Sequence, residues 1–593
     1  MTQKKNYMEK WIEIRKSGDF VEWGRQLGID PLCARLIRNR GMENIEEAEA
    51  YMNGDLSLLH DPFLLPDMER AVDSLVSSIN AGEKIRVIGD YDVDGVTSTV
   101  ILVRCIAAAG GDVSYSIPDR MRDGYGINDD LVRKAADDGI KLLITCDNGI
   151  AAADQVKLAY ELGMKVIVTD HHQVPYTGDG DEKKEILPEC EAVVDPHRKG
   201  SEYPFKGICG AMVAYKFMTA LGMQISGEKF AEALEESVQF AALGTVCDVM
   251  ELTDENRYLV REGIKRIKST RNPGLKALMS ANSLDASKVG TYSLSFVIGP
   301  CINSTGRLEY AGDSVNLLLS GDYDECLREA AHIKDLNDHR KNMTVTGLDG
   351  ALKLIESRKM LEDKILIVYL PEVHESIVGL VAGKLKEMYN RPVLVITRGE
   401  EGLKGSGRSI PAYNMFEKLS EVKDLFTKFG GHAMAAGFSL EEKNLEELEK
   451  RLKAGSGLSD EDLVREVRFD ARVPLEYASI NLVKDIAKLE PVGVGNPGAL
   501  FACPAVRIVS MSRMGKEGKY GNLTAVSGGK RFKLVYFGDM DAFDSYLNEK
   551  YGENTALELC AGKTQIDLDI CYEVGLNEFR GNESVDFRIK NYR

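Results

Sequence analysis

Apolar and polar positions follow two different periods along this chain, and the change of period marks its regions. Residues 1–80 carry apolar side chains at helical spacing with few helix breakers, which predicts a helical N-terminal region. From residue 84 onward, short apolar segments alternate with helical ones, a pattern typical of a parallel sheet with helices on both faces. The predicted strands are KIRVIG (84–89), KLLIT (141–145), KVIVT (165–169) and EAVVD (191–195).

Three further patterns follow in the second half of the chain. Residues 323–359 contain no proline and suit one long helix that bridges two domains. A second α/β pattern starts at the apolar segment KILIVYL (364–370) and ends with a polar helix at 441–454. Beyond residue 460, the short alternating segments AVRIVSMS, RFKLVYF and ALELCAG predict the strands of an OB-like β-barrel.

These patterns predict the α/β fold class and a chain of several domains. At 593 residues the chain is too long for a single hydrophobic core, which agrees with that division. The boundaries that we expect are 1–80 for the helical N-terminal region, 81–322 for the first α/β domain, 323–360 for the connecting helix, 361–456 for the second α/β domain and 460–593 for the barrel.

Composition narrows the class of protein. No apolar run reaches the roughly 18 residues of a membrane span, and the basic N-terminus lacks the apolar segment of a signal peptide. The 11 cysteines are scattered and include no CxxC pair. We therefore expect a cytoplasmic protein without membrane contact.

The net charge of −18 taken alone disfavours nucleic acid as a partner, because phosphate binding needs Lys and Arg. The basic residues nevertheless gather in two stretches, 257–276 and 513–533, and the second stretch also contains Tyr520 and Phe532. Each stretch is consistent either with a nucleic-acid surface or with an ordinary solvated face.

Three aspartates follow the first predicted strand in the motif GDYDVDG. If this segment is extended, the alternate residues Asp90, Asp92 and Asp94 point to the same side of the chain. Three carboxylates so close together repel each other unless cations neutralise them. A simple polar turn after a strand normally needs only one aspartate, so a cation site is the favoured interpretation.

The next two predicted strands also end in acids and histidines. TCDNG puts Asp147 at the end of the second strand, and TDHH puts Asp170, His171 and His172 at the end of the third. Open α/β sheets bind their ligands at the carboxyl ends of the strands. One site at this edge of the sheet is therefore predicted.

A fourth acidic motif, GTVCDVM, places Asp248 at the end of an apolar helical segment, where it is either a further ligand or a helix terminator. Carboxylates and imidazoles without thiolates suit manganese or magnesium better than structural zinc. The ligands are numerous enough for two ions, which can clamp the attacking and leaving oxygens in phosphate-ester hydrolysis.

DYDVDG, TCDNG, TDHH and GTVCDVM, in this order and spacing, resemble the motifs of the DHH phosphoesterase superfamily over roughly residues 85–250. The resemblance implies two divalent ions, with Mn(II) preferred and Mg(II) as the alternative. It implies that Asp147 bridges both ions, that His172 acts on the transition state, and that Asp170 holds an imidazole in its working tautomer. The residues that match the family's metal ligands are Asp90, Asp92, Asp94, Asp147, His171 and Asp248.

HESIVGLVAGKL, GSGRS and FGGHAMAAG resemble the DHH-associated domain, which implies that residues 361–456 bind substrate. Arg408 would form paired hydrogen bonds with a phosphate, and Ser406 would add a hydroxyl donor. Gly430 and Gly431 would let a phosphate approach the backbone closely, with His432 as a further donor. A turn followed by a buried histidine is the other interpretation of the GGH segment.

Segments outside these motifs resemble the RecJ exonucleases of the same superfamily, so that the resemblance spans nearly the whole chain. It implies that Asn303 and Arg307 bind phosphates and that Arg120, Arg122 and Tyr125 meet the end of a nucleic-acid strand. Cys301 stands where an arginine is common, and Ser304-Thr305 replaces an alanine pair; these departures affect one phosphate contact and leave the class unchanged. The segments are LLHDPFLLPDMERA, PDRMRDGYGIN, GPCINSTGRLEYA, EPVGVGNPGALF and NEFRGNESVDFRI.

The resemblance implies a metal-dependent exonuclease that degrades single-stranded DNA from 5′ to 3′, releases mononucleotides and serves DNA repair and recombination. Single-stranded DNA is the expected partner, with a single-strand-binding protein and a helicase as further partners and a monomer as the expected state. Two alternatives are a phosphodiesterase for short oligonucleotides or cyclic dinucleotides, and a non-catalytic scaffold. The predicted barrel disfavours the first alternative, and the intact set of acids disfavours the second.

Overall fold

The computed structural model describes residues 9–120, 122, 124–178, 184–399 and 402–593, with the side chain of Glu517 excepted. The chain forms two compact units. One unit is the described part of Met1–Gly54 together with Arg465–Arg593, and the other is Asp55–Val464. Within the described ranges, no helix is both long and apolar enough to cross a membrane.

The N-terminal region differs from the predicted helical block 1–80, of which residues 1–8 lie outside the described residues. It begins with a strand and continues with three helices, each capped by an Asp or Asn side chain. The segment KWIE forms a strand because it pairs in parallel with residues 466–469, and its own sequence pattern does not predict one. The elements are β1 (Lys10–Glu13), α1 (Phe20–Leu27), α2 (Pro31–Asn39) and α3 (Ile45–Asn53).

The first sheet confirms the predicted parallel α/β region, with strand order β3-β2-β4-β5-β8. Strand β3 was not predicted, because its half-buried DVSYS segment at the edge of the sheet lacks an apolar run. The elements are α4 (Met68–Asn80), β2 (Lys84–Ile88), α5 (Val93–Ala108), β3 (Asp112–Ser116), α6 (Asp129–Asp137), β4 (Leu142–Cys146), α7 (Ala153–Glu161), β5 (Lys165–Thr169), β6 (Tyr176–Thr177), β7 (Lys184–Glu185) and β8 (Ala192–Val194).

Helices follow as predicted, and the longest of them matches the predicted connecting helix closely. A π-helical turn at Leu294–Ile298 links the short helix α12 to α13, so that residues 291–308 form one continuous helical segment. The helices are α8 (Gly210–Gln224), α9 (Glu228–Cys247), α10 (Asp254–Lys268), α11 (Pro273–Ala281), α12 (Thr291–Ser293), α13 (Gly299–Leu308), α14 (Gly312–Leu319) and α15 (Tyr323–Ser357).

The second α/β region is built on a mixed sheet of order β12-β13-β11-β10-β9, in which only the β9–β10 pair is parallel among the described strands. Its apolar side chains pack into separate clusters on either side of the sheet. The elements are β9 (Leu366–Tyr369), α16 (Val378–Tyr389), β10 (Val393–Gly399), β11 (Gly402–Arg408), α17 (Met415–Ser420), β12 (Phe426–His432), β13 (Ala435–Leu440) and α18 (Leu445–Ala454).

The C-terminal region forms the predicted OB-like barrel, which closes because β16 pairs with both β17 and β19. The prediction of a strand at ALELCAG is wrong: most of this segment is helical, and its Leu557 is exposed while Leu559 is buried. The elements are β14 (Glu466–Phe469), β15 (Ala471–Arg472), α19 (Ile480–Ala487), β16 (Phe501–Met514), β17 (Tyr520–Ser527), β18 (Lys530–Tyr536), α20 (Met540–Tyr551), α21 (Thr555–Cys560), β19 (Ile566–Phe579) and β20 (Asn582–Tyr592).

Candidate metal centre and phosphate site

The three aspartates of GDYDVDG are brought together by the start of a helix rather than by an extended segment, which corrects the sequence-based prediction. Asp92 is the N-cap of α5, and its carboxylate accepts hydrogen bonds from the backbone N–H groups of Asp94 (2.9 Å) and Gly95 (3.1 Å). Asp94 therefore lies in the first helical turn. Its carboxylate accepts from the N–H groups of Gly210 (2.6 Å) and Ala211 (2.9 Å) at the N-terminus of α8, an end that favours negative charge.

Asp147 directly follows β4, as predicted, and is held in an unusual backbone conformation. Its φ of 61° lies in the left-handed region, which non-glycine residues seldom adopt outside constrained sites. The hydroxyl of Tyr125 donates to the carbonyl oxygen of Asp147 at 2.8 Å. A Cβ atom at Gly210 would lie 2.7 Å from the Asp147 Cβ, so a glycine there is needed for the close approach of α8.

The DHH triplet follows β5, and its three side chains have different surroundings. Asp170 is buried, and its Oδ1 accepts from Nδ1 of His172 at 2.7 Å while its Oδ2 accepts from the N–H of Ile150 at 2.9 Å. His171 instead points its Nε2 at carboxylates: Asp147 at 3.1 Å, Asp94 at 3.6 Å and Asp248 at 3.8 Å.

Asp248 follows the last residue of α9, where it ends the helix and also lies close to the other predicted ligands. Its N–H closes the final helical turn on the carbonyl of Gly244 at 2.8 Å. Its carboxylate faces His171, although a negative charge at a helix C-terminus is unfavourable. Among the residues that the structure describes, three groups of potential ligand atoms result, with the atoms of each group within 4.8 Å of one another: Asp90, Asp92 and Asp147; Asp94, His171 and Asp248; and Asp147, His171 and His172.

Burial and mutual repulsion raise the pKa of several of these acids. The pKa values of Asp90 and Asp147 lie well above their ordinary value, because burial and then neighbouring aspartates disfavour ionisation. The same causes raise the pKa of Asp248 to about 8. Burial alone would lower the pKa of His172, but its hydrogen bond to Asp170 raises that pKa to about 9.

A cavity of about 430 Å³ lies beside β11, and several of the predicted phosphate ligands line it. Arg307, Ser406, Arg408 and Gly430 line it, together with Arg120. Burial and the nearby Arg120 lower the pKa of Arg307 to about 9, and the same causes lower the pKa of Arg408. Crowded guanidinium groups of this kind favour an anionic ligand.

Helix α13 connects this cavity to the acids. It carries Arg307 in its last turn, and it packs so closely on the loop between Asp90 and Asp92 that a Cβ at Gly306 would lie 2.5 Å from the carbonyl oxygen of Tyr91. The Nη1 of Arg307 donates to the carbonyl of Ser376 at 2.8 Å. Packing of α13 therefore holds Arg307 close to the loop that carries Asp90 and Asp92.

Four predicted substrate ligands do not line the cavity as it is described. Asn303 lies one turn before Arg307 on α13, and Tyr125 lies beside His172 with a ring separation of 5.6 Å. Gly431 has φ of 146°, and a Cβ there would lie 2.3 Å from the carbonyl oxygen of Ala435, so strand pairing accounts for this glycine. His432 is exposed rather than buried, and its Nδ1 accepts from the N–H of Met434 at 3.3 Å.

Several residues of the site were missed from sequence. Lys404 and Lys428 line the cavity, and Lys404 could have been found because it alternates with Ser406 and Arg408 along β11. Asp195 follows β8, and its pKa is raised to about 8 by burial and then by Asp170. Its Oδ1 accepts from the N–H of His197 at 2.7 Å, whereas its buried Oδ2 has no hydrogen-bond partner among the described residues.

The two basic stretches are less open than their sequences indicate. In 257–276, Arg257 is buried, while Lys265 and Arg266 pair with Glu262 and Glu235 at 2.5 and 2.6 Å. In 513–533, Arg513 pairs with Asp541 at 2.7 Å and with Asp544 at 2.6 Å. Apart from the paired Lys265 and Arg513, the exposed basic residues are Lys268, Arg271 and Lys276 in the first stretch and Lys516, Lys519, Lys530, Arg531 and Lys533 in the second.

The α/β sheet carries acids and a DHH triplet at its carboxyl edge, and a second region with a basic cavity follows it. This combination defines the DHH class of phosphoesterases. Family models agree: residues 84–245 match the DHH family N-terminal domain, 362–454 the DHHA1 domain and 469–591 the RecJ OB domain. Within that class, the chain belongs to the RecJ family of single-stranded-DNA-specific exonucleases.

Relatives show this membership over the whole chain. The Escherichia coli single-stranded-DNA-specific exonuclease RecJ is 32% identical over 603 residues, which cover 98% of this chain and 99% of that protein. The Bacillus subtilis protein of the same name is 36% identical over 493 residues, but the match spans only 60% of its length. The crystal structure of Thermus thermophilus RecJ in complex with Mn2+ has a TM-score of 0.79 at 27% identity and covers 98% of this chain and 79% of that one.

Proposed function

We propose that this chain is a metal-dependent exonuclease that hydrolyses the phosphodiester bonds of single-stranded DNA. It works from the 5′ end, releases mononucleotides and serves DNA repair and recombination. The substrate follows from the named activity of its relatives. The observation that carries the proposal is the packing of α13, which joins a basic cavity to a cluster of acids through the contact of Gly306 with Tyr91.

The donor set fits two divalent ions, Mn(II) in preference to Mg(II). The ligands would be carboxylates and an imidazole, the donors of such ions, and the raised pKa values of Asp90, Asp147 and Asp248 mean that nearby positive charge would stabilise their ionised forms. Burial and then Asp94 raise the pKa of the Cys209 thiol well above its ordinary value, which disfavours a thiolate ligand. The full ligand set is Asp90, Asp92, Asp94, Asp147, His171 and Asp248.

When bound, the ions would supply Lewis-acid chemistry that activates water and offsets charge on the phosphate. Asp147 belongs to two of the three ligand groups, which supports the role of a bridging carboxylate. His172, held by Asp170 through Nδ1, would donate to a phosphate oxygen as charge develops there. Asp170 is then a positioning residue, because it orients the imidazole and fixes its protonated nitrogen.

Binding of the strand is assigned to side chains of the basic cavity. Arg307 and Arg408 would hold phosphate oxygens, with Ser406 as a hydroxyl donor and Gly430 leaving room for close approach. A Cβ at Gly430 would meet no atom within 4 Å, so this position is open. Asn303, Tyr125, Gly431 and His432 are retained as candidate contacts of a longer substrate.

The proposal extends to the organisation and surroundings of the protein. Residues 81–322 would form the hydrolytic domain, 361–456 the substrate-binding domain and 460–593, completed by the N-terminal region, the nucleic-acid-binding barrel. We propose that the protein is a cytoplasmic monomer that acts with a single-strand-binding protein and a helicase.

A digestion series tests this function. DNA and RNA strands of equal sequence, 5′-labelled, single or paired, are incubated with the protein and Mn2+. The expected result is release of labelled mononucleotide from single-stranded DNA and little hydrolysis of the duplex. Preferential hydrolysis of dinucleotides or cyclic dinucleotides over long strands would instead favour a small-substrate phosphodiesterase.

A further inference from the structure

One stripe of the helical segment 291–308 is exposed at its start and stays partly exposed along the rest of its length. It carries Tyr292, Phe296, Pro300, Asn303 and Arg307, which are three or four residues apart and so share a helical face. Side chains of the opposite face, such as Leu294, Ile298 and Ile302, are fully buried. The stripe therefore begins with two aromatic rings and ends at an arginine of the basic cavity.

The two aromatic rings are unusually exposed for side chains of their size. Tyr292 is 72% exposed and Phe296 is 64% exposed, and their ring centroids are 5.0 Å apart with the ring planes inclined by 32°. Leaving two large rings in water forgoes the free energy that their burial would provide. They lie on or beside the π-helical turn Leu294–Ile298, and such turns occur often at functional sites.

The aromatic pair also lies on a segment that packs against the end of α9, beside the candidate metal ligand Asp248. The thiol of Cys247, the residue before Asp248, donates to the carbonyl oxygen of Leu294 at 3.6 Å. A Cβ at Gly299 would lie 2.4 Å from the Cys247 sulfur, so α9 and the 291–308 segment are in close contact at this point. The next exposed side chain after Asp248 is Val249, which is apolar, 65% exposed and has φ of 60°.

We propose that Phe296 and Tyr292 form a stacking platform for nucleobases of the single strand next to the scissile bond. This inference rests on the proposed function and deepens it by assigning base contacts beside the phosphate contacts. Stacking on aromatic faces is tolerant of sequence, as an exonuclease requires. Phe296 precedes Arg307 by eleven residues, or roughly 16 Å along a helix, so one single-stranded DNA chain of a few nucleotides can contact both.

The composition of the stripe favours a nucleic acid over a protein as its occupant. Aromatic rings at one end, an amide at Asn303 and a guanidinium at Arg307 match the alternation of apolar bases and anionic phosphates. The cavity at the far end is lined by Arg120, Lys404 and Arg408, which would oppose a basic partner and attract a phosphate chain.

The test combines a protein variant with a substrate variant. Steady-state hydrolysis by the full chain is measured on 5′-labelled oligonucleotides that carry one abasic site, moved along the strand from substrate to substrate. We expect KM of the original protein to rise when the abasic site reaches one or two particular positions. Phe296→Ala should raise KM for the intact strand by about tenfold, within the range for one lost stacked base.

In Phe296→Ala the penalty of the abasic site at those positions should disappear, since the two changes remove the same contact. Phe296→Trp should restore both the low KM and the position dependence, and Tyr292→Ala should have a smaller effect of the same kind. Tyr160→Ala is the matched control, because Tyr160 is 38% exposed but lies near the end of α7 that leads to the amino end of β5.

Additive penalties, or an unchanged KM in Phe296→Ala, would overturn the assignment and leave the aromatic pair as a surface for another protein. Failure of the original protein to hydrolyse any oligonucleotide would overturn the proposed function itself, and this result is recognised before any variant is made. Thermal unfolding of each variant, expected within a few degrees of the original, separates loss of binding from loss of fold.

Discussion

The acid cluster and the basic cavity lie in the same compact unit, and both crowd like charges, but they are built in opposite ways. The acids sit at strand and helix ends, where loops after β2, β4 and β5 converge. The basic residues Lys404 and Arg408 lie on one face of β11, with Ser406 between them on the same face. Burial and then like charges raise the pKa of Asp147 and lower that of Arg408, so both groups lie where their charged forms are disfavoured.

The two regions differ in the hydrogen bonds that the protein itself provides to their charged groups. Nη1 of Arg408 donates to Ser406 Oγ at 2.8 Å and to the Gly407 carbonyl at 2.7 Å, and other N–H groups of the guanidinium remain for a ligand. The carboxylate of Asp147 lies within hydrogen-bonding distance of the imidazole of His171, at 3.1 Å. Asp92 and Asp94 accept hydrogen bonds from backbone N–H groups, whereas the pKa of Asp147 stays raised, so that nearby positive charge would stabilise its ionised form. The guanidinium of Arg408 is instead held in place by hydrogen bonds within the protein.

The largest effect is expected at the acids. Asp147→Asn should lower turnover by more than about a hundredfold, because it removes charge from two of the three ligand groups. The measurement is hydrolysis of a single-stranded oligonucleotide with saturating Mn2+. Retention of more than about a tenth of the activity would argue against the metal assignment.

The same variant makes a prediction about stability. The folded-state pKa of Asp147 is raised, so its ionised form destabilises the fold as pH rises above the ordinary carboxyl pKa. In a chelating buffer at neutral pH, Asp147→Asn should therefore unfold at the same or a higher temperature than the original chain. With Mn2+ added the order should reverse, because binding stabilises only the intact site. A lower unfolding temperature in chelator would contradict the repulsion.

A smaller loss is expected in the basic cavity. Arg408→Ala should raise KM and lower kcat by a combined penalty of about 1.5–3 kcal/mol, the usual value of hydrogen bonds to a charged group. The penalty should be present for long strands and for dinucleotides, since both contain the bound phosphate. Arg398→Ala, on neighbouring β10 with its side chain 61% exposed, is the matched control. Equal kinetics for the two variants would remove Arg408 from the site.

The contact that joins the two regions can be tested separately. Gly306→Ala should push α13 away from the Tyr91 carbonyl, which lies 2.5 Å from the added Cβ, and should cost about 1–3 kcal/mol of unfolding free energy. Activity should fall by about tenfold as the register of arginine and acids is lost. Gly383→Ala on α16 meets no atom within 4 Å and should be neutral or slightly stabilising. Unfolding curves and rates of oligonucleotide hydrolysis of both variants test this prediction.

The weakest effect is expected in the barrel. Replacing exposed Lys530, Arg531 and Lys533 by alanine should leave dinucleotide hydrolysis unchanged and make the slope of log affinity against log salt shallower by up to about 2 for a long strand. The matched triple replacement of Lys268, Arg271 and Lys276 compares the other basic stretch at equal charge. Equal slopes for all three proteins would show that neither stretch meets the strand.

Sequence predicted the sheet well because buried parallel strands such as KVIVT have a continuous apolar centre and are followed directly by polar motifs. It failed where burial depends on tertiary partners. β3 and β1 have no apolar run of their own, and ALELCAG has an apolar pattern that suits a short helix as well as a strand. Alternation alone could not decide these cases.

The same distinction applies to the site. Residues next to a recognisable strand end, such as Asp147 and His171, were found from pattern and resemblance, and the structure brings them together. Lys428 reaches the cavity only through the fold, because nothing in its local sequence marks it, whereas Arg120 was identified from its motif together with Tyr125. Asp195 was predicted as the end of a strand, but its burial and its proximity to Asp170 are properties of the folded sheet.

The parallel pairing of β1 with β14 has a consequence for biosynthesis. Residues 10–13 and 466–469 are hydrogen-bonded partners, and the unit that they share is interrupted by the whole of Asp55–Val464. The first helices to leave the ribosome must therefore wait, at usual elongation rates, for roughly 20 to 80 s until their partner strands are made. During that interval the central unit can fold first, and the early segment stays exposed to chaperones and proteases.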